Sequence, residues 1–149
     1  MKRNRVLGTV AALGMFVPLL GCGGGGTTPT PVPTPVPAPV RTIVGQQNWT
    51  AGVLETPNFD VTLGAAGNMD ATVQWTFASN DVDIYVTSTS CASGADLLAN
   101  RCTLLAKADG TTSKPERLSM QASAGVFRIW VVNFGPTRES GTLEVGVTR

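Results

Sequence analysis

Histidine is absent from all 149 residues. The commonest general base near neutral pH and the commonest zinc ligand are therefore missing, which removes Ser–His and Cys–His nucleophile pairs and ordinary zinc hydrolase sites. Charge is scarce as well, at 14% of residues. The only basic cluster is Lys2, Arg3 and Arg5, and beyond it eight basic residues stand against ten acidic ones. That balance offers nucleic acid no docking stripe, so no nucleic-acid partner is expected. Downstream of residue 41 there is no amphipathic helical pattern long enough to cover a sheet.

What is present begins with an export layout. The basic head is followed by Val6 to Leu20, which carries no charge, as in a secretory signal peptide. The run falls short of the roughly 20 apolar residues of a permanent membrane helix. It ends in Leu19-Leu20-Gly21-Cys22, with an aliphatic residue three before the cysteine and a small one just before it. This resembles the lipobox of bacterial lipoproteins. The resemblance implies cleavage after Gly21, a diacylglycerol thioether and further acylation (palmitate) at Cys22, and a membrane partner reached through that lipid. Gly23 in place of Asp after the cysteine implies, by the same resemblance, the outer membrane of a Gram-negative envelope.

Gly23 to Gly26 is a glycine tract, and Thr27 to Val40 reads TTPTPVPTPVPAPV. Alternating prolines favour an extended polyproline II rod, about 3.1 Å per residue and about 30 Å in all. The expected organisation is a signal peptide over 1–21, a lipidated cysteine with a Gly/Pro-rich linker over 22–40, and one domain over 41–149. With Cys22 assigned to the lipid, Cys91 and Cys102 remain as an even pair in an oxidising compartment, so a disulfide is expected. Such a short loop closure stabilises by about 3 kcal/mol in the chain-entropy model.

The domain alternates with period two. Phe59 to Leu63, Met69 to Phe77, Val82 to Val86 and Leu143 to Val147 each place apolar residues on one face; Thr103 to Ala106 and Arg117 to Gln121 are shorter strands. Val126 to Phe134 is apolar on both parities except at Arg128 and Asn133, which predicts a central strand covered on both sides. Turns are expected at Gly64 to Asn68, Ser79 to Asp81, Ala108 to Ser113 and Gly135 to Gly141, and a helical turn only at Ala95 to Asn100. About eight strands without a covering helix must pair as two sheets. The fold class is all-β, an antiparallel β-sandwich of jelly-roll-like type.

Three stretches carry a second resemblance: Asn80-Asp81-Val82-Asp83-Ile84-Tyr85-Val86, then Gly125 to Asn133 (GVFRIWVVN), then Gly141-Thr142-Leu143-Glu144-Val145. In this order they are similar to the bacterial pre-peptidase C-terminal domain. That resemblance implies a non-catalytic jelly-roll-like sandwich, with some relatives binding extracellular polymers. Here no peptidase accompanies the domain, so a role as a protease appendage does not carry over.

Parity then picks out the site residues. If Val82, Ile84 and Val86 face the core, Asp83 and Tyr85 face out; if Phe127, Ile129 and Val131 do so, Arg128 and Trp130 face out. On neighbouring strands these four would make an aromatic patch flanked by charge, suited to a sugar or an extended peptide. Against that stands packing of Trp130 under a loop and pairing of Asp83 with Arg128. Asp81 and Asp83, with Asn80, offer oxygens to Ca²⁺, although Asp and Asn also form turns and calcium takes six or more oxygens. No other cofactor is expected. The leading expectation is a non-enzymatic envelope lipoprotein whose sandwich binds carbohydrate or protein. A structural subunit of an envelope complex is second, and a carboxylate-only hydrolase using two of Asp60, Asp70, Asp81, Asp83 or Asp96 is last.

Overall fold

The computed structural model describes residues 34–110 and 114–149. The expected signal peptide, Cys22 and the glycine tract lie outside them. Pro37–Arg149 pack as one unit. The elements in chain order are β1 (Arg41–Ala51), β2 (Asn58–Leu63), β3 (Gly67–Trp75), β4 (Val82–Ser88), α1 (Gly94–Leu98), β5 (Leu104–Ala108), β6 (Glu116–Ala122), β7 (Gly125–Asn133) and β8 (Glu139–Thr148).

Two four-stranded antiparallel sheets result, in the orders β1-β8-β3-β6 and β2-β7-β4-β5. The pairs β1–β8, β2–β7, β3–β6 and β4–β5 nest inside one another. The chain thus behaves as one long hairpin ribbon wrapped around a core, which is a jelly roll. Further ladders, β3–β8 and β4–β7, join neighbouring ribbon pairs within each sheet. Reciprocal backbone bonds between Val40 and Arg149 tie the entry of the domain to its end.

The alternating strands bury their apolar faces as expected. Met69, Ala71, Val73 and Trp75 of β3 meet Val82, Ile84 and Val86 of β4 and Ile129 and Val131 of β7 in a single cluster between the sheets. Each fully buried aliphatic or aromatic side chain contributes about 1.5–3 kcal/mol. One strand was not expected and one expectation needed correction. The first is β1, which no alternation marks. Its register shifts between Ile43 and Gly45, so inward and outward positions exchange along the strand, and only Trp49 and Ala51 are buried. The second concerns β3, which stops at Trp75 instead of Phe77. The amides of Thr76 and Phe77 donate to the Glu139 carboxylate rather than to a ladder, and the Phe77 ring is left exposed.

The expected helical turn is α1. Ser93 caps it, with its hydroxyl accepting from the Asp96 amide at 3.1 Å and donating to the Asp96 carboxylate. Gly94 sits so close to Thr56 that a Cβ there would lie 1.5 Å from the Thr56 hydroxyl oxygen. Only glycine permits that contact, which presses the start of α1 onto the β1–β2 connection.

Candidate binding surfaces

The expected disulfide is formed. Cys91 and Cys102, 11 residues apart in sequence with Cα atoms 5.4 Å apart, bracket α1. The loop they close folds over the outer face of the β2-β7-β4-β5 sheet. There Cys91 and Leu97 pack on Trp130 and Val132, with Tyr85 and Cys102 at the margin. This explains why β7 is buried on both parities from Ile129 to Asn133, and why Val126, beyond the loop, is exposed.

The four residues expected to form an outward patch therefore divide. Trp130 and Tyr85 are register partners on β7 and β4, so the neighbourhood is as expected. Trp130, however, is only 1% exposed, and its indole N–H donates to Thr87 Oγ1 at 3.0 Å. As a stacking surface for a ligand it is ruled out, because the stapled loop covers it. Arg128 pairs with Asp60, donating to both carboxylate oxygens at 2.7 and 2.8 Å, and its other amino group bonds the Cys91 carbonyl at 2.9 Å. The guanidinium carbon stands 5.9 Å from the centre of the Trp130 ring. Arg128 thus fastens the loop to the sheet, and its carboxylate partner is Asp60 rather than Asp83. That pairing holds the Asp60 carboxyl below its usual range.

Asp83 pairs along its own strand instead. Tyr85 donates its hydroxyl to Asp83 Oδ2 at 2.9 Å, while Asp83 Oδ1 is buried without a partner among the described residues. Burial, followed by repulsion from Asp81, Asp109 and Glu116, raises the Asp83 pKa to about 6, against the Tyr85 bond. Burial and the same bond push the Tyr85 phenol above its ordinary value. Among the described residues no three His, Cys, Asp or Glu side chains converge as a metal set, around Asp81 and Asp83 or elsewhere. Of the other carboxylates, Asp70 is bound by Arg41 and Asp96 by Ser93 and Arg101.

Tyr85 nonetheless borders a concavity. A hollow of about 230 Å³ is lined by Tyr85, Leu97, Leu98, Asn100, Leu104 and Phe134. Leu98, Leu104 and Phe134 remain 39%, 38% and 39% exposed around it. The amide of Phe134 is fixed to the Asp81 carbonyl at 2.8 Å, which sets its ring at the end of β7 beside β4. Sequence reasoning missed Leu98, Leu104 and Phe134. The signal was the placement of apolar residues at element ends, where alternation stops and burial by the core is not required.

No family model and no curated protein matches this chain. Several solved structures are similar to it. The pre-peptidase C-terminal domain of a collagenase from Bacillus anthracis is 12% identical over 70% of this chain and 89% of its own, with a TM-score of 0.46. PliG from Aeromonas hydrophila, a periplasmic lysozyme inhibitor of g-type lysozyme, is 14% identical over 70% and 85%, with a TM-score of 0.47. The SPBc2 prophage-derived protein YomS is 12% identical over 78% and 99%, with a TM-score of 0.46.

Proposed function

We propose that this chain is a non-catalytic binding module, attached to the cell envelope through lipid on Cys22 and held off the membrane by its Gly/Pro-rich stretch. Its ligand is an extended protein segment seated in the Tyr85–Phe134 hollow. The observation that carries this reading is the convergence of three partly exposed apolar side chains, Leu98, Leu104 and Phe134, on one concavity beside a polar-tipped tyrosine. Three leucines beside two aromatic rings suit the side chains of a peptide better than the hydroxylated faces of a sugar. The walls belong to a disulfide-stapled loop and to strand ends, so little ordering entropy is lost on binding.

Two measurements test it. The mass of the membrane-extracted chain should begin at Cys22 plus acyl chains, and the Cys22→Ala protein should leave the membrane fraction. A library of displayed peptides should yield a common apolar-aromatic motif that Phe134→Ser and Tyr85→Ala each weaken about tenfold or more. Selection of the same peptides by both variants would remove the hollow from the reading. A chain found unacylated in the soluble fraction would remove the anchor.

A further inference from the structure

The outer face of the β1-β8-β3-β6 sheet carries a different kind of hollow, of about 340 Å³ and polar throughout. One rung of the ladder crosses all four strands through it, since Gln46, Glu144, Thr72 and Arg117 are successive register partners. The next rung places Thr142 beside Gln74. Thr72 and Thr142 are short and form the floor, while Arg117, Gln74 and Gln46 are long and form the rim. Arg41 closes the remaining side. It lies across Gly146, where a Cβ would stand 2.6 Å from the guanidinium carbon, and donates to both oxygens of Asp70 and to Glu144 Oε1.

Charge is distributed unequally around this basin. Arg41 satisfies Asp70 and half of Glu144. Arg117 makes one side-chain bond among the described residues, 3.3 Å to Thr72 Oγ1, and none of their ion pairs includes it. Its planar fork is free to take a carboxylate through two parallel bonds. Across the basin, Glu144 keeps Oε2 available to accept from a hydroxyl. The two side chains rise from strands separated by β3, about 9.5 Å apart at the backbone. The Gln46 and Gln74 amides and the two threonine hydroxyls fill the interval with donors and acceptors.

We infer that this hollow binds a polyhydroxylated monocarboxylate, the chemistry of a uronic acid unit in an acidic polysaccharide. The carboxylate pairs with Arg117, and the hydroxyl on the far side of the ring donates to Glu144. A phosphate ion on Arg117 is too short to offer Glu144 a hydroxyl across two strand spacings, and a neutral sugar leaves Arg117 without its partner. The site stands apart from the Tyr85–Phe134 hollow and does not depend on it.

The test is isothermal titration calorimetry of the full-length chain with an oligogalacturonate, with the same oligomer after its carboxyl groups are reduced to alcohols, and with inorganic phosphate. The acidic oligomer should bind about tenfold or more tightly than either comparison ligand. Arg117→Gln should remove that preference, and Arg117→Lys should restore only part of it, because charge returns without the fork. Gln74→Ala, a second surface change, should weaken the acidic oligomer without altering the preference. Phe134→Ser should leave the titration unchanged. Equal affinity for the acidic and reduced oligomers, an Arg117→Gln variant that binds like the original, phosphate binding as tightly as the sugar, or no heat from the acidic oligomer would each overturn the inference.

Discussion

The Trp130 indole donates to Thr87 Oγ1 across 3.0 Å on the outer side of a sheet, and both side chains are buried there. A two-layer sandwich by itself leaves that side in water. The cover is the Cys91–Cys102 loop with Leu97 of α1, so this satellite cluster depends on the loop staying closed. Replacing both cysteines with serine should therefore cost about 3 kcal/mol and shift the Trp130 fluorescence toward longer wavelength before global unfolding. Unfolding in urea followed by intrinsic fluorescence checks it. Loss of stability without an early spectral change would mean that Leu97 and Arg128 hold the loop unaided.

The main sheets were legible in the sequence because period-two alternation reports directly on a half-buried strand. β3 and β8 show it: Met69 to Trp75 and Leu143 to Val147 alternate without interruption, and every apolar residue of the alternating face is buried. β1 was not legible, because the irregularity between Ile43 and Gly45 exchanges its faces partway along. Parity also shows which way a side chain points without showing what lies above it. Trp130 does point away from the sandwich, as its position predicts, and is still buried. The sequence contained the warning: Trp130 and Val132 sit on the outward parity of a strand apolar on both faces, which calls for a second cover. The two hollows were not legible at all. One gathers residues from α1, β4, β5 and the end of β7, and the other is a set of register partners fixed only once four strands are aligned.

Arg128 ties three things together: the Asp60 carboxylate, the Cys91 carbonyl and the Trp130 ring. The Arg128 side chain is only 18% exposed, so its removal loses packing as well as charge. Arg128→Ala should destabilise by about 2 kcal/mol and Asp60→Ala by about 1 kcal/mol. The double variant should cost less than the sum, with a coupling of about 1 kcal/mol. Strict additivity in a urea-denaturation cycle would show that the bidentate pair contributes nothing net.

Asp83 should make the protein more stable in mild acid than at neutral pH. Its folded pKa lies near 6, above the ordinary value of 3.8. The folded state therefore binds more protons than the unfolded chain between those values. Stability from this group is complete below about pH 4 and is lost as pH rises through 6. Burial and the charges of Asp81, Asp109 and Glu116 outweigh the opposing Tyr85 hydrogen bond, and Lys107 is engaged with Asp109. Asp83→Asn keeps an acceptor for Tyr85 and removes the buried charge, so it should stabilise the protein by about 1–2 kcal/mol at pH 8 and by little at pH 4. Thermal melts of both proteins across that range check the sign. A stabilisation of equal size at both ends would separate the effect from ionisation.

Glu139 should behave in the opposite sense. The residue is 2% exposed, and its carboxylate takes four donors: the amides of Thr76 and Ser140 on Oε1, and the Phe77 amide with the Asn80 side chain on Oε2. Burial alone would raise its pKa, but the four bonds together hold it below the usual 4.5. Stability from this group is present above the unfolded value and is lost as pH falls through the folded one. Glu139→Gln turns an amide N–H₂ toward two donors whichever way it lies. At pH 7 it should cost about 2–4 kcal/mol, releasing the β3–β4 turn and the start of β8 together, because one carboxylate holds both. Hydrogen exchange reads this directly: the Thr76, Phe77 and Ser140 amides should lose protection as a group at neutral pH, while amides in β6 keep theirs. If only Ser140 lost protection, the carboxylate would be holding β8 alone, and the turn would rest on the Asn80–Thr137 bond.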